Sequence, residues 1–128
     1  MNRIILSILL SFSLSGLYAQ KVQEIYVHLY TDSLKKGTYN YINIDGKMTD
    51  GSWMPLTAKE ITFTSDYGKF EGNSLVLPDE PTVKKVAITA SLKTNTKLSR
   101  QFTIWIKQKP DPLLPDNAED RHRNQRRQ

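Results

Sequence analysis

Apolar and polar residues alternate most regularly between Val86 and Ile106. A period of two is typical of strands that bury one face. In both halves of this stretch the apolar residues recur at every second position: Val86, Ile88, Ala90 and Leu92, then Phe102, Ile104 and Ile106. Residues 93–97, between the two halves, are polar. The pattern therefore predicts a β-hairpin with its turn at 93–97.

Two registers of this hairpin keep both apolar sets on one face, because opposed residues share a face of the sheet. One register pairs Ala90 with Phe102, and the other pairs Ala90 with Arg100. The second register puts the Arg100 side chain on the core side, where an unpaired charge is costly to bury. We therefore expect the first register.

Shorter alternating segments precede the hairpin at 22–30, 38–44, 60–65, 69–71 and 74–77. The dipeptides Asp45-Gly46 and Asp50-Gly51 predict turns, since glycine tolerates a positive φ. No helical period extends beyond a few residues. The fold class predicted is all-β, as a two-sheet antiparallel sandwich, with a small barrel as the alternative.

The first nineteen residues have the pattern of an export signal. A positive Arg3 precedes an apolar run from Ile4 to Leu14, and the small residue Ala19 precedes Gln20. The run is too short for a comfortable membrane span. We predict a signal peptide at 1–19, cleavage before Gln20, and no membrane span in the mature protein. The chain contains no cysteine, which excludes disulfides, thiolate chemistry and lipid attachment through cysteine.

A change of composition after Lys109 predicts a flexible tail at 110–128, Pro-rich and then charged, that is disordered or marginally helical. This leaves 20–109 for the globular domain. Prolines cluster at 110, 112 and 115, and no aliphatic residue larger than alanine follows Leu114. The charges of the tail balance: Asp111, Asp116, Glu119 and Asp120 against Arg121, Arg123, Arg126 and Arg127. The net charge of +5 at pH 7 therefore comes mainly from lysines scattered along the chain, which is more typical of solubility than of nucleic-acid binding.

Several segments resemble a bacterial immunoglobulin-like domain of the secreted, Big-type kind. The resemblance depends on a strand ending in Thr and Ser, a glycine-centred turn, and a late strand close to Val-x-Ile-Thr-Ala. It covers the segments 60–65, 67–70, 72–73, 86–91 and 102–104. It implies an immunoglobulin-like sandwich at 20–109 that spaces or binds components at the cell surface. It implies no ligand and no chemistry.

Motifs for catalysis are scarce. His28 lies in a predicted strand and His122 in the predicted tail, so the two do not form an obvious metal site or base-nucleophile pair. The polar run 43–52 places Asn43 and Asp45 at two positions of a calcium loop but lacks its first and last ligands, so a hairpin turn is the simpler interpretation. We expect no enzymatic activity, no cofactor and no metal. A small hydrolase built from exposed carboxylates is an alternative class.

Aromatic residues are the better indication of function. The chain carries Tyr26, Tyr30, Tyr39, Tyr41, Trp53, Tyr67 and Trp105 along its predicted strands and turns. Such rings either pack on the sheets or provide contact area for a partner. We single out Trp53, Trp105 and Tyr67 as candidate partner-binding residues. Trp105 should project away from the core, opposite Ala87 in the expected register or opposite Lys85 in the other.

These patterns predict a non-catalytic binding module that is exported to the periplasm, the cell surface or the medium. Its expected partner is a protein or an envelope component, and nucleic acid is not expected. Binding of a polysaccharide or acidic polymer, through an aromatic platform or the arginine-rich tail, is the alternative. The sequence leaves the oligomeric state open.

Overall fold

The computed structural model describes residues 20–112, and the regular secondary structure there consists of strands only. The strands are β1 (Val22–Val27), β2 (Ser33–Leu34), β3 (Tyr39–Tyr41), β4 (Ile44–Met48), β5 (Trp53–Leu56), β6 (Ile61–Ser65), β7 (Lys69–Glu71), β8 (Ser74–Val76), β9 (Lys85–Leu92) and β10 (Asn95–Ile106). The all-β prediction is confirmed. The predicted signal peptide at 1–19 and most of the predicted tail, 113–128, lie outside the described residues. Within 20–112 no helix is long and apolar enough to span a membrane.

Hydrogen bonds connect the strands into three sheets, in the orders β1-β4-β5, β2-β10-β9-β6 and β3-β8-β7. All pairs are antiparallel except β2 with β10, which are parallel, so the expectation of purely antiparallel sheets is wrong for that pair. The two three-stranded sheets meet at Ile42 and Asn43. The Ile42 N–H donates to the carbonyl of Asn73, and the Asn43 carbonyl accepts from the His28 N–H. Consecutive residues between β3 and β4 thus connect these two sheets.

All three sheets contribute to a single core. The buried side chains are Ile25, Leu34, Ile42, Ile44, Leu56, Ile61, Leu75, Leu77, Val86, Ile88, Ala90, Leu92, Ile104 and Ile106. In β9, buried and half-buried residues alternate from Val86 to Leu92, as the period-two pattern predicts. Burial of these aliphatic groups is the main stabilising contribution in a chain that has no disulfide.

The β9–β10 hairpin adopts the register that the sequence analysis rejected. Arg100 lies opposite Ala90, Phe102 opposite Ile88, and Ile104 opposite Val86. This register would be unfavourable if Arg100 had no partner. Instead the guanidinium of Arg100 forms an ion pair with Glu24 of β1. Because both side chains remain partly exposed, the charge of Arg100 is both paired and partly solvated, so the cost of burying an unpaired charge does not arise.

The predicted turn at Asp45-Gly46 is also wrong. Both residues lie inside β4, where Gly46 faces Met54 of β5 and Ile25 of β1. A Cβ on Gly46 would lie 3.0 Å from Cδ1 of Leu56, so this glycine is needed for close packing and not for a positive φ. The turn occurs at 49–52 instead, where Gly51 has a φ of +86°.

Asn73 anchors the turn between β7 and β8 to the end of β5. Its side chain is 8% exposed. Nδ2 donates to the carbonyl of Leu56 at 3.1 Å, and Oδ1 accepts from the main-chain N–H of Ala58 at 2.8 Å. One amide therefore satisfies two main-chain groups in the segment that connects β5 to β6.

Candidate functional site

An exposed group of aromatic rings lies on the outer face of the β1-β4-β5 sheet. Trp53 on β5 reaches across β4, and its ring centroid lies 5.2 Å from that of Tyr26 and 5.8 Å from that of His28. Tyr26 and His28 stack on each other at 5.9 Å. We call Tyr26, His28 and Trp53 the aromatic face. Trp53 is 53% exposed, so this ring cluster retains a large surface in contact with solvent.

Strand pairing explains why these rings converge. Opposed residues of an antiparallel pair share a face. Tyr26 is opposite Asp45, and Trp53 is opposite Lys47, while Gly46 and Met54 point the other way into the protein. The Lys47 ammonium lies 5.8 Å from the centroid of the Trp53 ring, which is the range of a cation–π contact.

Hydrogen bonds hold the His28 ring in place. Its Nδ1 lies 2.7 Å from Oδ2 of Asp45, and the same oxygen accepts from Nδ2 of Asn43 at 3.0 Å. Asn43 is only 4% exposed, so the Asp45 carboxylate is itself fixed by a buried group. These bonds orient the His28 ring, and within residues 20–112 no hydroxyl is hydrogen-bonded to it.

Trp105 projects from a different sheet. It lies on β10, opposite Lys85 of β9 on one side and Ser33 of β2 on the other. The indole is 59% exposed, which confirms that it points away from Ile104 and Ile106. The Lys85 ammonium lies 5.7 Å from its centroid. Trp53 and Trp105 thus face away from the shared core on separate sheets and form two surfaces.

Tyr67 is placed unlike the two tryptophans. Its ring is half-buried and packs against the hydrophobic core, and its hydroxyl accepts a hydrogen bond from the Thr82 N–H at 3.1 Å. Most of this side chain is therefore used within the fold, and less of it is available to a partner than at Trp53 or Trp105.

Three other tyrosines lie beside a groove of about 240 Å³ between the β1–β2 connection and β3. Tyr30 and Tyr41 stack at 6.2 Å, and Tyr39 lies next to them along the chain. The amide of Asn40, which also lines the groove, is bonded to main-chain groups of Lys35 and of Leu75. Its polar atoms already have partners within the protein. A hydrogen bond to Glu71 and the charge of that residue raise the pKa of Tyr39.

The acidic residues of the described chain are dispersed. Within residues 20–112 no three His, Asp or Glu side chains are grouped to hold a metal ion. Asn43 and Asp45, two residues of the rejected calcium loop, bond to each other and to His28 as described above. Hydrogen bonds from the hydroxyl and N–H of Ser52 lower the pKa of Asp50. The same hydrogen bonds stabilise the β4–β5 turn.

Sequence reasoning identified Trp53 but not its neighbours in space. Tyr26, in β1, and His28, directly after it, are both exposed on the outer side of the sheet. The pairing of β1 with β4, and of β4 with β5, was hidden by the false turn at Asp45-Gly46. Trp53 falls opposite Lys47 because the turn spans three residues, 49–51. A two-residue turn at Asp50-Gly51 would have placed Met54 opposite Lys47.

Comparison with known proteins gives no assignment. No protein-family model matches the chain, and a search of curated proteins found no similar sequence.

Proposed function

We propose that this protein is a non-catalytic, immunoglobulin-like binding module, exported to the periplasm, the cell surface or the medium, that contacts a protein or an envelope component through its aromatic face. The single observation that carries the proposal is the cluster of Trp53, Tyr26 and His28, exposed on the outside of a sheet and fixed by its neighbours. Exposed aromatic groups on a rigid scaffold are favoured anchors of protein interfaces, because they bring a large contact area at a small entropy cost.

Strand order supports the immunoglobulin-like part of the proposal. Immunoglobulin sandwiches place strands C, F and G in one sheet and A, B, E and D in the other. Here β6, β9 and β10 are neighbours in the order of C, F and G. The pairs β1-β4 and β3-β8-β7 follow the order A, B, E and D if β3 and β4 together form strand B. Strands β2 and β5 are additions to that seven-strand order.

The geometry favours contact over chemistry. Asp45 holds the His28 ring, and the other neighbours of this ring are the aromatic rings of Tyr26 and Trp53. Those neighbours supply contact area, whereas a hydrolase would require a nucleophile or a second carboxylate beside the histidine. The proposal is therefore binding, with His28 and Lys47 giving the aromatic face a polar edge.

The proposal is tested by co-sedimentation of the purified protein with envelope fragments of its source cell over a range of protein concentrations. Trp53→Ala should raise the half-saturation concentration about tenfold or more, as expected for an interface anchor. Tyr39→Ala is the matched control, because it removes an equally exposed ring from β3, outside the aromatic face. It should change half-saturation less than about twofold, in line with the small effect of most truncations outside an anchor.

A second variant, His28→Ala, removes another ring of the aromatic face while Trp53 stays in place. It should also raise the half-saturation concentration. Circular dichroism and thermal melts verify that each variant is folded. If Trp53→Ala binds as well as the wild type, or if Tyr39→Ala loses as much, then the aromatic face is not the contact surface.

A further inference from the structure

Lysines that are far apart in sequence meet at one end of the β2-β10-β9-β6 sheet. Three chain segments converge there: the end of β2, the start of β9 and the end of β10. The Ile106 N–H donates to the carbonyl of Lys84 at 2.7 Å, and the Lys107 N–H donates to the carbonyl of Leu34 at 2.8 Å. These bonds bring together Lys35, Lys36, Lys84, Lys85, Lys107 and Lys109, which with Trp105 we call the basic end.

The basic end combines charge with a flat ring. Trp105 lies opposite Lys85, and the parallel pairing of β2 with β10 places Lys35 and Lys107 one step further along the same outer face. The loop at 79–80 carries two acidic residues and bounds the patch near Lys36, since the Gly37 N–H donates to the Pro78 carbonyl. Within residues 20–112, ion pairs of these lysines involve Lys35 and Lys107 only, and both go to Asp111.

Asp111 shows what kind of group these lysines hold. One oxygen of its carboxylate pairs with the Lys107 ammonium, and the other lies 3.9 Å from the Lys35 ammonium. The hydrogen bond from Lys107, and the charges of Lys107 and Lys35, lower the pKa of Asp111. Its side chain is 60% exposed and lies beyond the end of β10, so an external carboxylate can displace it.

The cations of the basic end are all lysines. Arginine binds carboxylates and phosphates alike, through two oxygens at once, so its absence does not by itself choose between the two anions. Arg100 is the only arginine in residues 20–112, and it pairs with Glu24. The basic end is built from lysines, which act as point charges. The anion that the structure places between Lys35 and Lys107 is the carboxylate of Asp111, and this contact favours a carboxylated ligand over a phosphodiester.

We propose that the basic end is a second binding site, and that it takes a carboxylated polysaccharide. One sugar ring lies against the exposed indole of Trp105, and a carboxylate replaces Asp111 between Lys35 and Lys107. A shallow depression of about 420 Å³ lined by Lys35, Lys36, Lys107 and Lys109 provides room for the next residues of the polymer. This site is separate from the aromatic face and does not depend on it.

Polygalacturonate is the probe, and its methyl-esterified form is the neutral control. Binding of the wild type to immobilised polygalacturonate should weaken as salt is added, because the contacts are between exposed charges. Lys35→Gln/Lys107→Gln should weaken binding about tenfold or more. The matched control is Lys59→Gln/Lys97→Gln, which removes the same charge from the other end of the sheet and should change affinity less than about threefold if only the long-range field is altered.

Asp111→Asn gives a result of opposite sign. It removes the internal carboxylate that competes for Lys35 and Lys107, so binding should tighten severalfold. Trp105→Ala should weaken binding, whereas Trp53→Ala should leave it unchanged, which separates this site from the aromatic face. The proposal is overturned if polygalacturonate does not bind at low salt, if the control double variant loses as much affinity, or if Asp111→Asn weakens binding. Tighter binding of a DNA duplex at equal ionic strength would also overturn it, in favour of a phosphate polymer.

Discussion

Replacing Asn73 by alanine should destabilise the protein markedly. The substitution removes the acceptor for the Ala58 N–H and the donor to the Leu56 carbonyl, at a side chain that is 8% exposed. Each main-chain group left unpaired in a buried position costs about 1–3 kcal/mol. Because Ala58 is only half-buried and water can reach part of that site, we expect a loss of about 2–4 kcal/mol. That is a large fraction of a total stability of about 5–15 kcal/mol.

The loss is measured by urea unfolding followed by tryptophan fluorescence, with the slope of the transition compared between proteins. Asn95→Ala is the control, since Asn95 is exposed at the start of β10 and its side chain accepts one long hydrogen bond, at 3.3 Å. It should change stability by less than about 0.5 kcal/mol. Asn73→Asp keeps the acceptor but places a carboxylate against the Leu56 carbonyl, so its deficit should shrink as the pH falls and the carboxyl group becomes protonated. An Asn73→Ala protein within about 0.5 kcal/mol of the wild type would refute this explanation of the β5–β6 connection.

Three further predictions concern packing, pH and the end of the chain. Gly46→Ala should cost about 1–3 kcal/mol of stability in urea melts, because the new Cβ would press on Leu56. Adding Leu56→Val should recover part of that loss, and losses of the two single variants that simply add in the double variant would contradict the close contact. Hydrogen bonds from Thr57 lower the pKa of Glu60, so the stability that this carboxylate contributes is present above the carboxyl pKa of the unfolded chain and is lost as the pH falls through the folded pKa. The stability of Glu60→Gln should therefore fall less steeply than that of the wild type below about pH 5, and equal slopes would contradict this. Truncation after Pro110 should cost less than about 1 kcal/mol, because the contacts it removes at Asp111 are exposed, and a larger loss in the same melts would mean that the removed segment packs on the domain.

The sequence was most informative where one residue and its near neighbours determine the outcome. The period-two pattern located β1, β6, β9 and β10 and indicated which of their side chains are buried. The direction of Trp105 followed from alternation alone. Such inferences succeed because the pleat of a strand is a local property that tertiary contacts seldom change.

The failures involve contacts that strand pairing creates, beyond the immediate neighbours of a residue. Arg100 was expected to lack a partner on the core side, but it pairs with Glu24, which lies 76 positions away in the chain. Asp45-Gly46 is a typical turn dipeptide, yet Gly46 lies in a strand, where its close contact with Leu56 explains the glycine. Each of these inferences was reasonable locally and was overturned by the pairing of strands.

The two proposed surfaces were hidden for the same reason. Lysines that look scattered in the sequence converge only when β2 adds to β10, a parallel pairing that no alternation pattern indicates. The aromatic face requires the order β1-β4-β5, which also joins distant segments. Composition can count charges and rings, but their grouping depends on topology.

The most direct test of the account follows both tryptophans in one sample. The protein contains two tryptophans, Trp53 and Trp105, so incorporation of 5-fluorotryptophan gives one ¹⁹F signal for each site, assigned with Trp105→Phe. Envelope fragments of the source cell are added in about 0.5 M salt, which screens the exposed charges of the basic end. The Trp53 signal should shift or broaden in a saturable way, while the Trp105 signal should change little. A Trp53 signal that stays the same under conditions where the protein is bound would contradict the claim that the aromatic face makes the contact.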